Sequence, residues 1–214
     1  FDTADAAKKA AEEAAKLIRE HDLPRECVPT SLLNSQPVWE ALLEKMPMTA
    51  MVRNLGNMTK NGLLTVASEG TTKVLAELAN ADRIRASRIH PIQLLMARLT
   101  YAGGRGIKGS GEWTTVPRIV DALDQAFYLS FANVVPTNKR YLLGLDVSGS
   151  MSSAFIGQTG LTAAMASGAM AMVTMRSEQA VLPMGFSSQF KDLPLTPNMS
   201  LSEVMQKISG LNFG

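Results

Sequence analysis

Tyr141-Leu142-Leu143-Gly144-Leu145 runs apolar between the basic pair Lys139-Arg140 and the string Asp146-Val147-Ser148-Gly149-Ser150. A short apolar run bounded by turn formers predicts a strand buried inside a parallel sheet, and such a sheet must be covered by helices. The expected cover follows: a helix over Leu161–Arg176, a second strand over Ala180–Phe186, and a helix over Leu201–Ile208 capped by Ser200. Strand, helix, strand, helix in that order predicts a doubly wound, Rossmann-like α/β unit.

The chain before Pro136 has a different character. Residues 1–140 hold 18 Lys and Arg against 15 Asp and Glu, whereas residues 141–214 hold 3 against 4. The first part punctuates itself as short helices: Asp2 to about Glu20, with Ala10, Ala14, Leu17 and Ile18 on one face and Glu12 four residues before Lys16. Next come a helix opened by Ser35 and Pro37, Met48–Met58 after Pro47, and a helix from Thr71 or Thr72 to Ala79. Two more start at His90-Pro91 and at Thr115 with Pro117. In the last of these, Ile119, Leu123, Phe127 and Phe131 recur every four residues. Short connections make consecutive helices antiparallel neighbours, and pairs of this size suit a divergent HEAT-like solenoid. The fold class is therefore α plus α/β, with residues 1–138 as helical repeats and 139–214 as an incomplete α/β domain.

Several functions are excluded. Cys27 is the single cysteine, so there is no internal bridge and a reducing, cytoplasmic setting is expected. The first twenty residues have neither a basic n-region nor an apolar h-region, and the apolar run Leu161–Met175 is short of a membrane span. No G-x-S-x-G elbow, H-E-x-x-H or P-loop occurs, and Ser148 lacks an evident base, which argues against an enzyme. Gly104–Gly109 spells G-x-G-x-x-G, but it follows a helix instead of a strand, so a flexible glycine loop is expected in place of a dinucleotide fingerprint, one whose NH groups could still cradle phosphate. His90 reads as a helix cap, and the methionines at 165, 170, 172 and 175 as core filling.

Two features point to binding. Asp146, Ser148 and Ser150 offer one carboxylate and two hydroxyls at the carboxyl end of a strand, hard donors that suit Mg²⁺ or Mn²⁺. The same string also serves as a plain turn, with its oxygens on backbone NH groups. Second, Arg83, Arg85, Arg88, Arg98, Arg105 and Lys108 fall between residues 83 and 111 with no acid among them. Such a cluster is what a phosphate backbone requires, or else a solvated face balanced by acids elsewhere.

The apolar strand before the D-x-S-x-S string, Met151 after it and the small-residue helix that follows are similar to the von Willebrand factor A domain with its metal-ion-dependent adhesion site (MIDAS). That family completes its metal shell with a Thr and a second Asp from later loops, and the chain stops at Gly214 before either, so only Asp146, Ser148 and Ser150 carry over. A chain that starts on Phe1 and stops there is expected to be a piece of a longer protein.

The order of the whole resembles the Ro autoantigen family, the TROVE-domain RNA-binding proteins. The resemblance is carried by Leu23-Pro24-Arg25-Glu26, Val38–Leu43, Met46–Thr59, Arg88-Ile89-His90-Pro91, the Gly103–Gly109 loop, Ala122–Tyr128 and Pro136–Leu143. It implies a monomeric ring of HEAT-like repeats closed by an A domain, binding Y RNAs outside and single-stranded ends of misfolded RNAs in its hole. That is a ribonucleoprotein role in noncoding RNA quality control, with an exoribonuclease as a possible partner and no membrane. Assigning Arg83, Arg85, Arg88, Arg105 and Lys108 to RNA rests on charge alone. The competing reading is a metal-dependent, adhesion-type module whose cation at Asp146 accepts a partner carboxylate while the helices serve as scaffold.

Overall fold

The computed structural model describes residues 3–106, 111–156 and 160–209. The helical part contains α1 (Thr3–His21), α2 (Gln36–Lys45), α3 (Met48–Lys60), α4 (Glu69–Ala79), α5 (Ala81–Ser87), α6 (Pro91–Ala102) and α7 (Pro117–Leu129). Proline at the first turn opens α2, α6 and α7, where its missing NH has no helical partner to lose. α1 packs on α2, α6 on α7, and α4 also on α7. The apolar face read from sequence on α7 is buried, with Ile119, Leu123 and Phe127 in the core, as are Val38 and Trp39 on α2 and Met51 and Leu55 on α3.

Four local readings are corrected. On α1 the buried stripe is Ala11, Ala15 and Ile18, while Leu17 is exposed; alanine-rich turns give two nearly equivalent stripes, and only packing on α2 chooses. The i,i+4 ion pair on that helix is Lys16–Glu20, not Glu12–Lys16. The cap of α4 is Ser68, whose hydroxyl accepts from the Thr71 NH, and α7 is entered through Val116 with no side-chain cap. Met170 is 46% exposed on its helix, whereas Met172 and Met175 are buried as expected.

Backbone character changes between Asn133 and Arg140. β1 (Arg140–Asp146) is followed by the short α8 (Gly149–Ser153), α9 (Ala163–Ser177), β2 (Ala180–Phe186), β3 (Phe190–Asp192) and α10 (Leu201–Ser209). The sheet order is β1-β2-β3, with β1 and β2 parallel from Arg140↔Ala180 to Asp146↔Phe186, and β3 antiparallel to β2. This is the expected incomplete A-type sheet, with β3 and the short α8 added. Pro183 sits inside β2 without harm to the β1 ladder: its carbonyl accepts from the Leu193 NH on the β3 side, so its missing donor falls on that same edge. α9 packs on β1 and β2, and α10 closes on α9 at Gly168, where a Cβ would come within 3.2 Å of Val204. The burial expected of the first strand is corrected: of β1 only Leu145 is buried, and Leu142 and Leu182, paired across the ladder, are 61% and 52% exposed because α9 covers one face of the sheet.

The two parts share one continuous apolar core. α6 and the 3-10 turn at Ser130–Asn133 both touch α9, and the Leu201 NH donates to the Tyr128 hydroxyl. Among the described residues no helix is long and apolar enough to cross a membrane.

Candidate functional site

The D-x-S-x-S string sits where the topology predicts, on the loop leaving the carboxyl end of β1. The Asp146 carboxylate accepts from the Ser148 NH at 2.9 Å. Hydrogen bonds from the Ser148 hydroxyl and NH hold its pKa below the ordinary aspartate value, so it is an anion at neutral pH. The Ser148 and Ser150 hydroxyl oxygens lie 3.0 Å apart. That contact is a hydrogen bond between the two hydroxyls, and the carboxylate and hydroxyl oxygens of this loop are hard donors of the kind Mg²⁺ takes. The donor set therefore fits a hard divalent cation, although among the described residues no group of three or more His, Cys, Asp or Glu gathers to complete a site. Asp146, Ser148 and Ser150 are the residues that would hold it, and the cation would supply an open position for an oxygen anion.

Of the basic residues that the structure describes, Arg83 and Arg85 lie on α5, Arg88 at its exit, Arg98 on α6 and Arg105 just beyond α6. Asn80 caps α5 through the NH groups of Asp82 and Arg83. Two of the six cations are engaged by acids from elsewhere in the fold: Arg83 Nε lies 2.8 Å from Glu77, and Arg98 Nε 2.8 Å from Asp124. Arg85, Arg88 and Arg105 are exposed and make no ion pair among the described residues. Arg88 ends α5 in the left-handed region at φ 52°, a conformation costly for a side-chain-bearing residue. The next helix starts at once, because the His90 imidazole accepts from the Ile92 NH and the Gln93 amide reaches back to the His90 NH. His90 is thus the cap the sequence indicated. Arg105 pairs across a backbone bridge with Glu112, and Lys108 lies outside the described residues.

The glycine hairpin folds back on α3 and α6. The Trp113 indole NH donates to the Tyr101 carbonyl at 3.0 Å, and its ring lies stacked with Tyr101 at 6.0 Å between centroids. The hairpin closes one end of a cleft of about 720 Å³ between α3 and α6. Arg53, Asn57, Gln93 and Thr100 give it polar groups, and Ile89 and Met96 an apolar wall. Sequence reading singled out none of these as functional, since a pocket formed by two helices and a hairpin has no charge cluster to mark it. The available signal was the Met46–Thr59 segment that carried the family resemblance.

Paired helices leading into a parallel strand–helix–strand unit with an acid-serine loop at its carboxyl edge define a helical-repeat protein running into a von Willebrand factor A-type segment. Residues 8–100 match the TROVE domain family and residues 140–214 the Ro60 vWA domain. Over 203 residues the chain is 44% identical to the RNA-binding protein RO60 of Deinococcus radiodurans, covering 94% of this chain and 38% of that protein. The RNA-binding protein RO60 of Caenorhabditis elegans is 42% identical over 198 residues, 92% of this chain and 30% of that one. The crystal structure of the Deinococcus radiodurans RO (RSR) protein superposes with a TM-score of 0.87 at 40% identity, covering 100% of this chain and 45% of that chain. The chain belongs to this Ro60, TROVE-domain family, and it spans less than half the length of each of these relatives.

Proposed function

We propose that the chain forms part of a Ro-type RNA-binding protein that holds small noncoding Y RNAs and the unpaired ends of misfolded RNAs, serving noncoding RNA quality control by binding and not by catalysis. The observation that carries this reading is the set of exposed arginines Arg85, Arg88 and Arg105, which no acid neutralises among the described residues. The relatives' description as RNA-binding proteins supports it. Phosphate contacts of this kind hold RNA with little sequence preference, and each one neutralised releases counterions. Arg83, and Lys108 on charge grounds alone, extend the set; Arg83 contributes less because Glu77 already engages it. Selectivity then comes from shape, since an unpaired terminus enters a narrow ring that a duplex cannot. The monomeric ring, an exoribonuclease that receives the captured RNA, and a cytoplasmic setting belong to the same reading.

A divalent cation, Mg²⁺ by donor chemistry, is the proposed cofactor at Asp146, Ser148 and Ser150. The carboxylate and two hydroxyls gathered on one loop favour a second reading in which this MIDAS loop captures a carboxylate of a partner protein. Phe155, 64% exposed a few residues beyond the loop, would give such a partner an apolar contact.

The test of the RNA reading is a triple variant, Arg85→Ala, Arg88→Gly and Arg105→Ala, in the intact protein. Glycine at position 88 accepts the left-handed backbone, so charge is removed without strain. RNA affinity should fall and the slope of log affinity against log salt should lose about two units. Unchanged affinity and slope would show that these residues do not touch RNA.

A further inference from the structure

The end of the α1–α2 pair holds another cavity, of about 260 Å³, away from both the arginines of α5 and the metal loop. One turn shapes it. α1 ends with Asp22 in the left-handed region at φ 50°, and the Leu23 NH donates back to the Ile18 carbonyl, which closes the helix. Pro24 then opens the short 3-10 turn Arg25–Cys27, and Arg25 becomes part of the cavity wall. The floor is apolar: Ile18, Leu42 and Met46 are buried, and Ala50 in the first turn of α3 completes it.

The charges around this floor are matched except at that turn. Arg19 Nε lies 2.7 Å from Glu44, and Lys45 pairs with Asp22. Arg25 has no such acid: its Nε is shut away from solvent and makes no hydrogen bond among the described residues. A guanidinium NH held out of water without an acceptor costs stability, and an acceptor that arrives from outside removes that cost. Glu26 beside it is exposed and makes no ion pair among the described residues.

A buried cationic donor beside an apolar floor of this size matches a residue that carries an anion and an aliphatic side chain together. The last residue of a protein chain is of that kind, since its carboxylate and its side chain leave the same Cα. An internal Asp or Glu instead ends its side chain in the carboxylate and leaves nothing apolar for the floor. We infer that this cavity captures the carboxyl terminus of a partner protein, with the last, aliphatic side chain on the Ile18–Leu42–Met46 floor, its carboxylate on Arg25, and a basic residue just before it at Glu26. The inference does not depend on the RNA reading. It gives a role to Leu23-Pro24-Arg25-Glu26 and to Met46 at the head of Met46–Thr59, two of the segments that carry the family resemblance.

The test uses the intact protein labelled at its methionine methyl groups, with the Met46 resonance as reporter and Met46→Leu to assign it. The peptide acetyl-Gly-Gly-Lys-Leu with a free carboxyl end should shift that resonance with a Kd of about 1 mM, as one anchored residue allows. Its C-terminal amide should bind about fivefold more weakly or worse, and so should the acid peptide to Arg25→Gln. The thermal midpoint of Arg25→Gln should not fall, because Nε has no bond to lose. Glu26→Gln should weaken the lysine peptide roughly two- to threefold and leave acetyl-Gly-Gly-Ser-Leu unchanged. Equal binding of acid and amide, no shift by about 10 mM peptide, or full binding by Arg25→Gln overturns the inference. So does free leucine that binds as tightly as the peptide, which makes this a small-molecule site, or displacement of the peptide by a short oligoribonucleotide, which makes it a phosphate site.

Discussion

The guanidinium of Arg176 on α9 lies 4.7 Å from the centroid of the Phe131 ring, in the turn that closes the helical part. It also lies 5.1 Å from the Tyr128 ring, and its Nε and Nη2 donate to the carbonyls of Pro197 and Met199 at 2.6 and 3.1 Å. One side chain thus joins α7, α9 and the approach to α10. Arg176→Gln should lower unfolding stability by about 2 kcal/mol, since it removes the cation-π contact and the charge assistance while its amide keeps one of the two hydrogen bonds. Arg176→Lys should recover little of it, because an ammonium cannot serve both carbonyls and both rings. Chemical denaturation measures both; a loss under 0.5 kcal/mol for Arg176→Gln contradicts the assignment.

The Glu178 carboxylate fixes the linker. It accepts from the Thr137 and Asn138 NH groups at 2.6 and 2.9 Å, and Asn138 is held in the left-handed region at φ 58°. The Thr137 NH first, with the Thr137 hydroxyl and the Asn138 and Lys139 NH groups, keeps the carboxyl below its ordinary pKa. A depressed folded pKa means that the unfolded chain takes the proton first as pH falls. The contribution is therefore full above the unfolded value, about 4.3, and is lost as pH drops through it toward the folded value. Glu178→Gln should be less stable than wild type at pH 7, with the gap narrowing below about pH 4. A gap that stays constant down to pH 3 would count against this role.

Gly56 lies in the middle of α3, where alanine would ordinarily stabilise by about 1 kcal/mol. Here a Cβ would come 2.6 Å from the Trp113 ring, so Gly56→Ala must push the hairpin away. The expected sign is reversed, to a loss of about 1–3 kcal/mol, with a change in tryptophan fluorescence as the ring shifts. A stabilised variant with an unchanged spectrum would show that the ring gives way freely.

Metal removal separates the two functional readings. EDTA or Asp146→Ala should leave RNA affinity within twofold of wild type, because Asp146 and the exposed arginines stand on different elements. Loss of RNA binding with either treatment would place the RNA contact at the metal loop instead.

How far sequence alone could reach depended on contrast. The Tyr141–Leu145 run and the Ala180–Phe186 strand were plain because short apolar runs stood between polar turns, and β2 spans Ala180–Phe186 as read. α5 was not visible: seven residues, six of them charged or small, give too little apolar period, and Asn80 was its only mark. β3 is three exposed residues and exists through pairing with β2. The D-x-S-x-S loop was legible because its donors are neighbours in sequence. The basic stretch was only half legible, since Glu77 and Asp124 approach Arg83 and Arg98 from other elements. The α3–α6 cleft was hidden because its residues come from positions 53, 57, 93, 100 and 113.

The central claim is most directly tested by equilibrium binding of the intact protein to one structured RNA in two forms, with a free single-stranded 3′ tail and blunt-ended, across a salt series. The account predicts tighter binding of the tailed form, with affinity for both falling steeply as salt rises. Equal affinity for the two forms, or affinity that does not change with salt, contradicts it.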